Sequence, residues 1–196
     1  MDLKGLRIGF AVTSSFCTLE MVMPEVANLV EKGAEVLPIM SENAQTIDTR
    51  FGKAEDFRLQ LEEITGNKII DNIFTAEPIG PQKMFDILIV APCTGNTLGK
   101  IANGITDTCV TLAVKAHLRN QKPVVIAIST NDGLGLNAKN LGVLLNTRNI
   151  YFVPFRQDNP IKKENSLVAK MDLIIPATEK ALDGKQYQPM ILGTNE

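Results

Sequence analysis

Short apolar runs alternate along the chain with longer segments whose apolar positions recur every three to four residues, and this alternation predicts strands interleaved with helices. Arg7-Ile8-Gly9-Phe10-Ala11-Val12 reads as a first strand, Phe16 to Glu31 as a helix and Glu35 to Met40 as a second strand. Ser14 or Ser15 supplies a natural N-cap, and Gly33 sits where that helix stops. Asp86 to Ala91, Pro123 to Ile128 and Tyr151 to Pro154 are three further strands, with helices over Leu98 to Ala102 and Val110 to Leu118. The charged stretch Thr46 to Gly66 holds a helix from Ala54 to Ile64, after which Lys68 to Phe74 reads as an edge strand closed by Pro78, Gly80 and Pro81. From Phe155 the chain changes character: a polar run, Arg156-Gln157-Asp158-Asn159-Pro160, precedes a helix expected from Leu167 or earlier to Leu182, interrupted at Pro176, and then a loose end. Strands alternating with helices imply right-handed crossovers and an α/β fold of three layers, a mostly parallel sheet with helices on both faces.

With 196 residues, 44% of them hydrophobic, the chain is long enough to bury roughly 70% of its unfolded surface, so one domain over residues 1–196 is expected. Residues 155–196 are expected to be a C-terminal extension that packs on the core or on a neighbouring subunit. A net charge of -2 provides no broad basic field, which argues against a nucleic-acid partner. No apolar segment approaches the roughly 18 residues that cross a bilayer, and Met1 to Gly5 run directly into the first strand, so a cytoplasmic protein without a membrane partner is expected. Three cysteines without ligand spacing and a single histidine argue against a metal site or a disulfide framework.

The candidate chemistry lies in the turns that follow the strands. Leu88-Ile89-Val90-Ala91 runs into Pro92-Cys93-Thr94-Gly95-Asn96-Thr97, a buried strand discharging into a loop of small hydroxyl and amide side chains. In a parallel sheet this loop should meet Thr13-Ser14-Ser15 and Ser41-Glu42-Asn43 at the carboxyl edge, where open α/β folds hold their ligands. Short hydroxyls and free N–H groups at helix starts suit a phosphate, each helix dipole adding about 0.3–1 kcal/mol when exposed and up to ~2 when partly buried. The same residues are also ordinary N-caps. No G-x-G-x-x-G follows the first strand and no phosphate-loop Lys is present, so a mononucleotide with one terminal phosphate, such as FMN, fits better than NAD or ATP. Cys93 reads as a small buried residue filling the loop, Met21, Met23 and Met40 as core or interface fillers, and His117 as a helix-surface or interface residue without a catalytic role.

Pro92-Cys93-Thr94-Gly95-Asn96-Thr97 resembles the Pro-Ala-Ser-Ala-Asn-Thr signature of the homo-oligomeric flavin-containing cysteine decarboxylases. Val12-Thr13-Ser14-Ser15, Met40-Ser41-Glu42-Asn43-Ala44 and Ile101-Ala102-Asn103-Gly104-Ile105-Thr106-Asp107 are similar to three further stretches of that family, together covering about the first two thirds of the chain. The resemblance implies a Rossmann-like, flavodoxin-like subunit that trimerises and binds FMN near a subunit interface. It implies that Ser15 and Ser41 hold the phosphate or ribityl chain and that Thr94, Asn96 and Thr97 face the ring and substrate, with Thr13, Ser14 and Pro92 also among the cofactor-binding residues.

The chain departs from the decarboxylases in two places. Their substrate clamp falls at Ile128-Ser129-Thr130-Asn131-Asp132-Gly133-Leu134-Gly135, where only Asn131 is kept, and residues 1–85 hold no histidine to match their catalytic one. Over nearly its whole length the chain resembles instead a branch of the family that works with a separate dinucleotide-binding A subunit. That likeness rests on Leu6 to Thr18, Ile128 to Gly135 and Tyr151 to Pro160. It implies oxidation of dihydrodipicolinate to dipicolinate in the mother cell of a sporulating bacterium, with FMN on this chain, NADP on the partner, and trimers that can build a dodecamer. On this reading Asn96 and Asn131 are the catalytic residues that orient a substrate carboxylate, and Arg156 or Lys162 supplies positive charge. A flavin prenyltransferase is a rival, since Pro92-Cys93-Thr94 and Thr97-Leu98 are similar to its Pro-Cys-Ser-x-x-Thr-Leu run, although Ile128 to Asp132 lacks its Arg-Glu pair. A non-catalytic assembly subunit is the other.

Overall fold

Five parallel strands in the order β2-β1-β3-β4-β5 form the spine of the computed structural model, which describes residues 3–193. They are β1 (Arg7–Val12), β2 (Glu35–Met40), β3 (Ile87–Cys93), β4 (Val124–Thr130) and β5 (Ile150–Phe152). Every residue of β3 and all but the last of β4 are buried, as expected of parallel strands covered on both faces. The covering helices are α1 (Phe16–Glu31), α2 (Glu42–Thr46), α3 (Ala54–Thr65), α4 (Ile73–Ala76), α5 (Gly95–Ala102), α6 (Cys109–Arg119), α7 (Ala138–Leu145) and α8 (Ile174–Leu182). α1 packs with α3 and α8, α6 packs with α4 and α5, and both α1 and α6 lie on β2 and β3, so the two groups sandwich the sheet.

Local chemistry explains the boundaries. α1 buries Thr18, Leu19, Val22, Met23, Val26 and Leu29, one stripe at helical spacing, and stops before Gly33, whose φ of +85° most residues avoid. α6 opens with a capping box in which Thr108 and Thr111 exchange side-chain and backbone hydrogen bonds. One continuous apolar cluster runs from Leu3 to Ala181, with Phe10, Phe85 and Phe152 fully buried in it.

Two expectations about elements are corrected. Lys68 to Phe74 is not an edge strand: Ile70 alone bridges to Ile39, and Asn72 then starts α4 with its own capping box, so the local Asn–Thr hydrogen bonds win over strand pairing. The helix expected from Leu167 or earlier begins only at Ile174, after a short 3-10 turn over Met171–Leu173. Residues before it form an antiparallel hairpin, β6 (Phe155–Asn159) and β7 (Lys163–Ala169). β7 pairs through Val168 and Leu167 with Ser129 and Thr130, taking the edge of β4 beyond the point where β5 leaves it at Ile126. Pro176 lies in the first turn of α8, where its missing N–H costs nothing, so it does not interrupt the helix.

Candidate functional site at the carboxyl edge of the sheet

The order of the spine reverses between β1 and β3, and the turns after these strands open at the switch point where such sheets bind ligands. Thr13, buried at the end of β1, donates from Oγ1 to the Pro92 carbonyl at 2.6 Å and accepts from the Thr94 N–H at 3.0 Å. Ser15 Oγ lies 2.8 Å from Ser129 Oγ, which Thr18 Oγ1 also approaches at 3.4 Å. The Thr13 hydroxyl thus ties the turn after β1 to the backbone after β3, and the Ser15–Ser129 hydroxyl pair ties it to the end of β4. At the end of β2, the Ser41 N–H reaches the Val12 carbonyl at 3.0 Å.

The sequence-derived residues divide into those that hold the turns and those that are left over. Thr94 caps α5: its Oγ1 accepts from the Thr97 N–H at 3.3 Å and lies 3.0 Å from the Thr97 hydroxyl. Pro92 is buried with its carbonyl taken by Thr13. Ser14 and Asn96 make no side-chain hydrogen bond among the described residues, and Asn96 is exposed in the first turn of α5. Ser41 carries a buried hydroxyl with no partner among the described residues. Ser15 occupies the N-cap of α1 without a side-chain cap bond, and no acid lies in the helix's first turn; the Thr18 N–H is taken by the Ser15 carbonyl, which leaves those of Phe16 and Cys17 available to an anion.

The structure suits a flavin on this evidence. The orphaned Ser41 hydroxyl and the uncapped start of α1 are donors in need of an acceptor. Gly95 lets α5 come down on the turn after β4: a Cβ there would lie 2.7 Å from Asn137 Nδ2 and 2.8 Å from Asp132 Oδ1. Asp132 is the hub of that turn, accepting from Thr130 Oγ1 at 2.7 Å and from Asn137 Nδ2 at 2.8 and 3.0 Å, while Asn137 accepts from Asn140 at 2.9 Å. Sequence reasoning missed this network; an acid flanked by Asn131 and Gly133 is its only local mark.

A cleft of about 650 Å³ lies between the start of α1 and the β6–β7 hairpin. Ser15, Ser129, Asn131, Arg156 and Ser166 line it, with Ser166 Oγ donating to the Thr130 carbonyl at 3.2 Å and lying 3.5 Å from Asn131 Oδ1. Asn96 stands outside this lining. Lys162, the alternative basic residue, is exposed in the hairpin turn and also stands outside it. Ser129 and Ser166 were not singled out from sequence.

The buried thiols are not nucleophiles. Burial pushes Cys93 up to about 12, and burial with the nearby Glu42 does the same for Cys109, whose Sγ meets the Met40 carbonyl at 3.2 Å. His117 is not at the helix surface as expected: it is 2% exposed, tilted against Phe85 at 6.3 Å between ring centres, because the last turn of α6 faces the core there. Burial and Lys122 push it down to about 4, so it is a neutral core residue on an apolar neighbour. Met23 and Met40 are core residues, while Met21 is exposed on α1 and lines the cleft.

The Flavoprotein family profile matches residues 1–179. The B subunit of dipicolinate synthase from Bacillus subtilis is 50% identical over 97% of this chain and 96% of its own. The crystal structure of the corresponding dipicolinate synthase chain from Bacillus halodurans superposes with a TM-score of 0.91 at 47% identity, covering 98% of this chain and 99% of the other. Burkholderia xenovorans DmrB, a cubic protein cage solved in complex with FMN, shares the fold at a TM-score of 0.67 and 18% identity over 91% of this chain and 96% of its own. The chain belongs to the Flavoprotein family, and within it nearly the whole length follows the pattern of the dipicolinate synthase B subunits.

Proposed function

We propose that this chain is the FMN-holding subunit of a two-subunit synthase that, with a dinucleotide-binding A subunit carrying NADP, oxidises dihydrodipicolinate to dipicolinate. Kinship with the B subunit of a sporulating bacterium supports the setting, the cytoplasm of the mother cell. The observation that carries the flavin is the buried, unpartnered hydroxyl of Ser41, at the same sheet edge as the uncapped start of α1. Ser14, Ser15 and Ser41, with the first N–H groups of α1, would hold the phosphate and ribityl chain. Thr13 and Pro92 brace the turn, and Thr94, Asn96 and Thr97 would face the ring. A bound flavin would supply a hydride acceptor, which is what aromatisation of a dihydropyridine requires. Asn96 and Asn131 would orient a substrate carboxylate by their amide N–H groups. The subunits would assemble as homo-oligomers, trimers or a dodecamer of them.

FMN titration of the purified chain, followed by visible absorbance, tests the cofactor. Turnover of dihydrodipicolinate after adding the A subunit tests the reaction. Asn96→Ala is expected to lower flavin affinity or turnover about tenfold or more, the worth of one hydrogen bond to a reacting partner. Unchanged values for both would remove Asn96 from the site. The absence of any histidine in residues 1–85 favours a second reading, a flavin carrier whose partner performs all the chemistry. On that reading Asn96→Ala and Asn131→Ala change flavin binding but leave turnover at saturating FMN intact.

A further inference from the structure

Asp132 places a negative charge against the start of α5. A carboxylate only accepts hydrogen bonds, so the Thr130 hydroxyl at 2.7 Å and the Asn137 amide at 2.8 and 3.0 Å both turn their hydrogens toward it. That fixes the amides behind them. Asn140 Nδ2 donates to Asn137 Oδ1 at 2.9 Å, and Asn103 Nδ2 donates to Asn140 Oδ1 at 3.2 Å and to the Gly99 carbonyl at 2.7 Å. Each amide of this ladder between α5 and α7 thus aims its positive end toward Asp132. Gly95 and Gly99 let α5 lie on the ladder: a Cβ would stand 2.8 Å from Asp132 Oδ1 at the first and 3.3 Å from Asn140 Nδ2 at the second.

The fold alone does not call for a charge there. A neutral acceptor could tie the same turn, and a half-buried ion without a counter-ion costs more than a neutral group. No cation pairs with Asp132 among the described residues. What answers it is the positive end of α5, a helix with no acid of its own in the first turn. Asn96 and Thr97, which would face the ring, stand in that same turn behind the capping Thr94.

We infer that Asp132 sets the reduction potential of the flavin and holds it low; the inference rests on the reading that places an FMN ring at this edge. A hydride brings two electrons and one proton to a neutral oxidised ring and leaves it negative unless a second proton follows. A fixed carboxylate without a counter-ion opposes that added charge, in surroundings less polar than water. A low potential suits a flavin that hands its hydride on to the partner's oxidised dinucleotide instead of retaining it.

The test uses the full chain loaded with FMN, as wild type, Asp132→Asn, Asp132→Glu and Asn137→Ser. Midpoint potentials are read by dithionite titration against a reference dye at mildly alkaline pH, where the reduced ring is anionic. Sulfite, which adds to the oxidised ring as an anion, is titrated by absorbance, and thermal melts report folding. Asp132→Asn should raise the ratio of reduced to oxidised flavin about tenfold at a fixed potential, an upward shift of about 30 mV for a two-electron couple, and tighten sulfite about as much. Asp132→Glu keeps the charge and should return most of the wild-type potential. Asn137→Ser removes a donor but not the charge, so it should lower the melting temperature without raising the potential. If Asp132→Asn does not fold, Asp132→Ser, a smaller neutral acceptor, replaces it with the same expectations. Lower melting temperatures in all the variants with one potential throughout overturn the inference and leave Asp132 a structural residue. An upward shift in Asn137→Ser equal to that in Asp132→Asn also overturns it, since turn geometry and not charge would then set the potential. A folded chain that takes up no FMN removes the flavin reading and this inference together, whereas bound FMN with unmoved potentials removes this inference alone.

Discussion

Ser41 holds a buried hydroxyl without a partner among the described residues, a situation that costs about 1–3 kcal/mol unless a ligand relieves it. Ser41→Ala should therefore leave the flavin-free chain as stable as wild type or slightly more so, while weakening FMN about tenfold. Urea unfolding with and without FMN reads both effects, and a loss of stability without FMN would mean that the hydroxyl serves the fold. Gly95 is the reverse case, a residue needed for what it lacks. Gly95→Ala drives a methyl into Asp132 and Asn137 and should cost about 1–3 kcal/mol, visible as a lower urea midpoint. Thr13 and Thr94 are of a third kind: their hydroxyls are spent on the Pro92 carbonyl and on the start of α5, so they shape the site through the backbone.

Among the elements, the parallel spine was legible because apolar runs of strand length, each followed by a small polar turn and a helical stripe, admit few other folds. The hairpin was not. Arg156, Gln157, Asp158 and Asn159 form a polar run with no apolar alternation, since one face meets the cleft and the outer edge meets solvent. In β7 the three apolar residues Leu167-Val168-Ala169 show no alternation, and with Met171 and the true helix close behind they blur into one helical segment. Tertiary pairing with β4 decides the matter, and no local signal carries it. The turns after β1, β2 and β3 were legible, whereas Ser129, Asp132 and Ser166 were not: Ser129 gains its partners only where the start of α1 packs on it, Asp132 only where Asn137 folds back, and Ser166 only when the hairpin closes. Leu167 anchors that closure, 4% exposed, packed so tightly on Gly133 that a Cβ there would lie 2.7 Å from Leu167 Cδ1. Leu167→Ala should cost about 2–5 kcal/mol and speed amide exchange in β6 and β7 ahead of the spine. Uniform acceleration across all strands would show that the hairpin unfolds only with the whole sheet.

For the whole molecule, pH dependence follows from one buried ring. His117 titrates at about 4 when folded against about 6.5 when unfolded, so between those values the unfolded chain binds a proton that the folded chain refuses. Its contribution is present in full above about pH 6.5 and is lost as pH falls toward 4, at most about 3 kcal/mol. Below that, the Arg7 N–H and guanidinium, which hold Asp86 down against the opposing effect of burial, lose their carboxylate partner as well. Thermal melts from pH 7 to 4 should show a steep fall that His117→Leu flattens; parallel curves would mean that another group governs the acid limb. The uneven treatment of sulfur reaches furthest in practice. Of three cysteines two are sealed inside with thiols that stay protonated, while Cys17 stands exposed at the mouth of the cleft. A maleimide dye should thus attach at one place without any engineering, giving the native protein a built-in optical reporter whose quenching tracks what enters beside it.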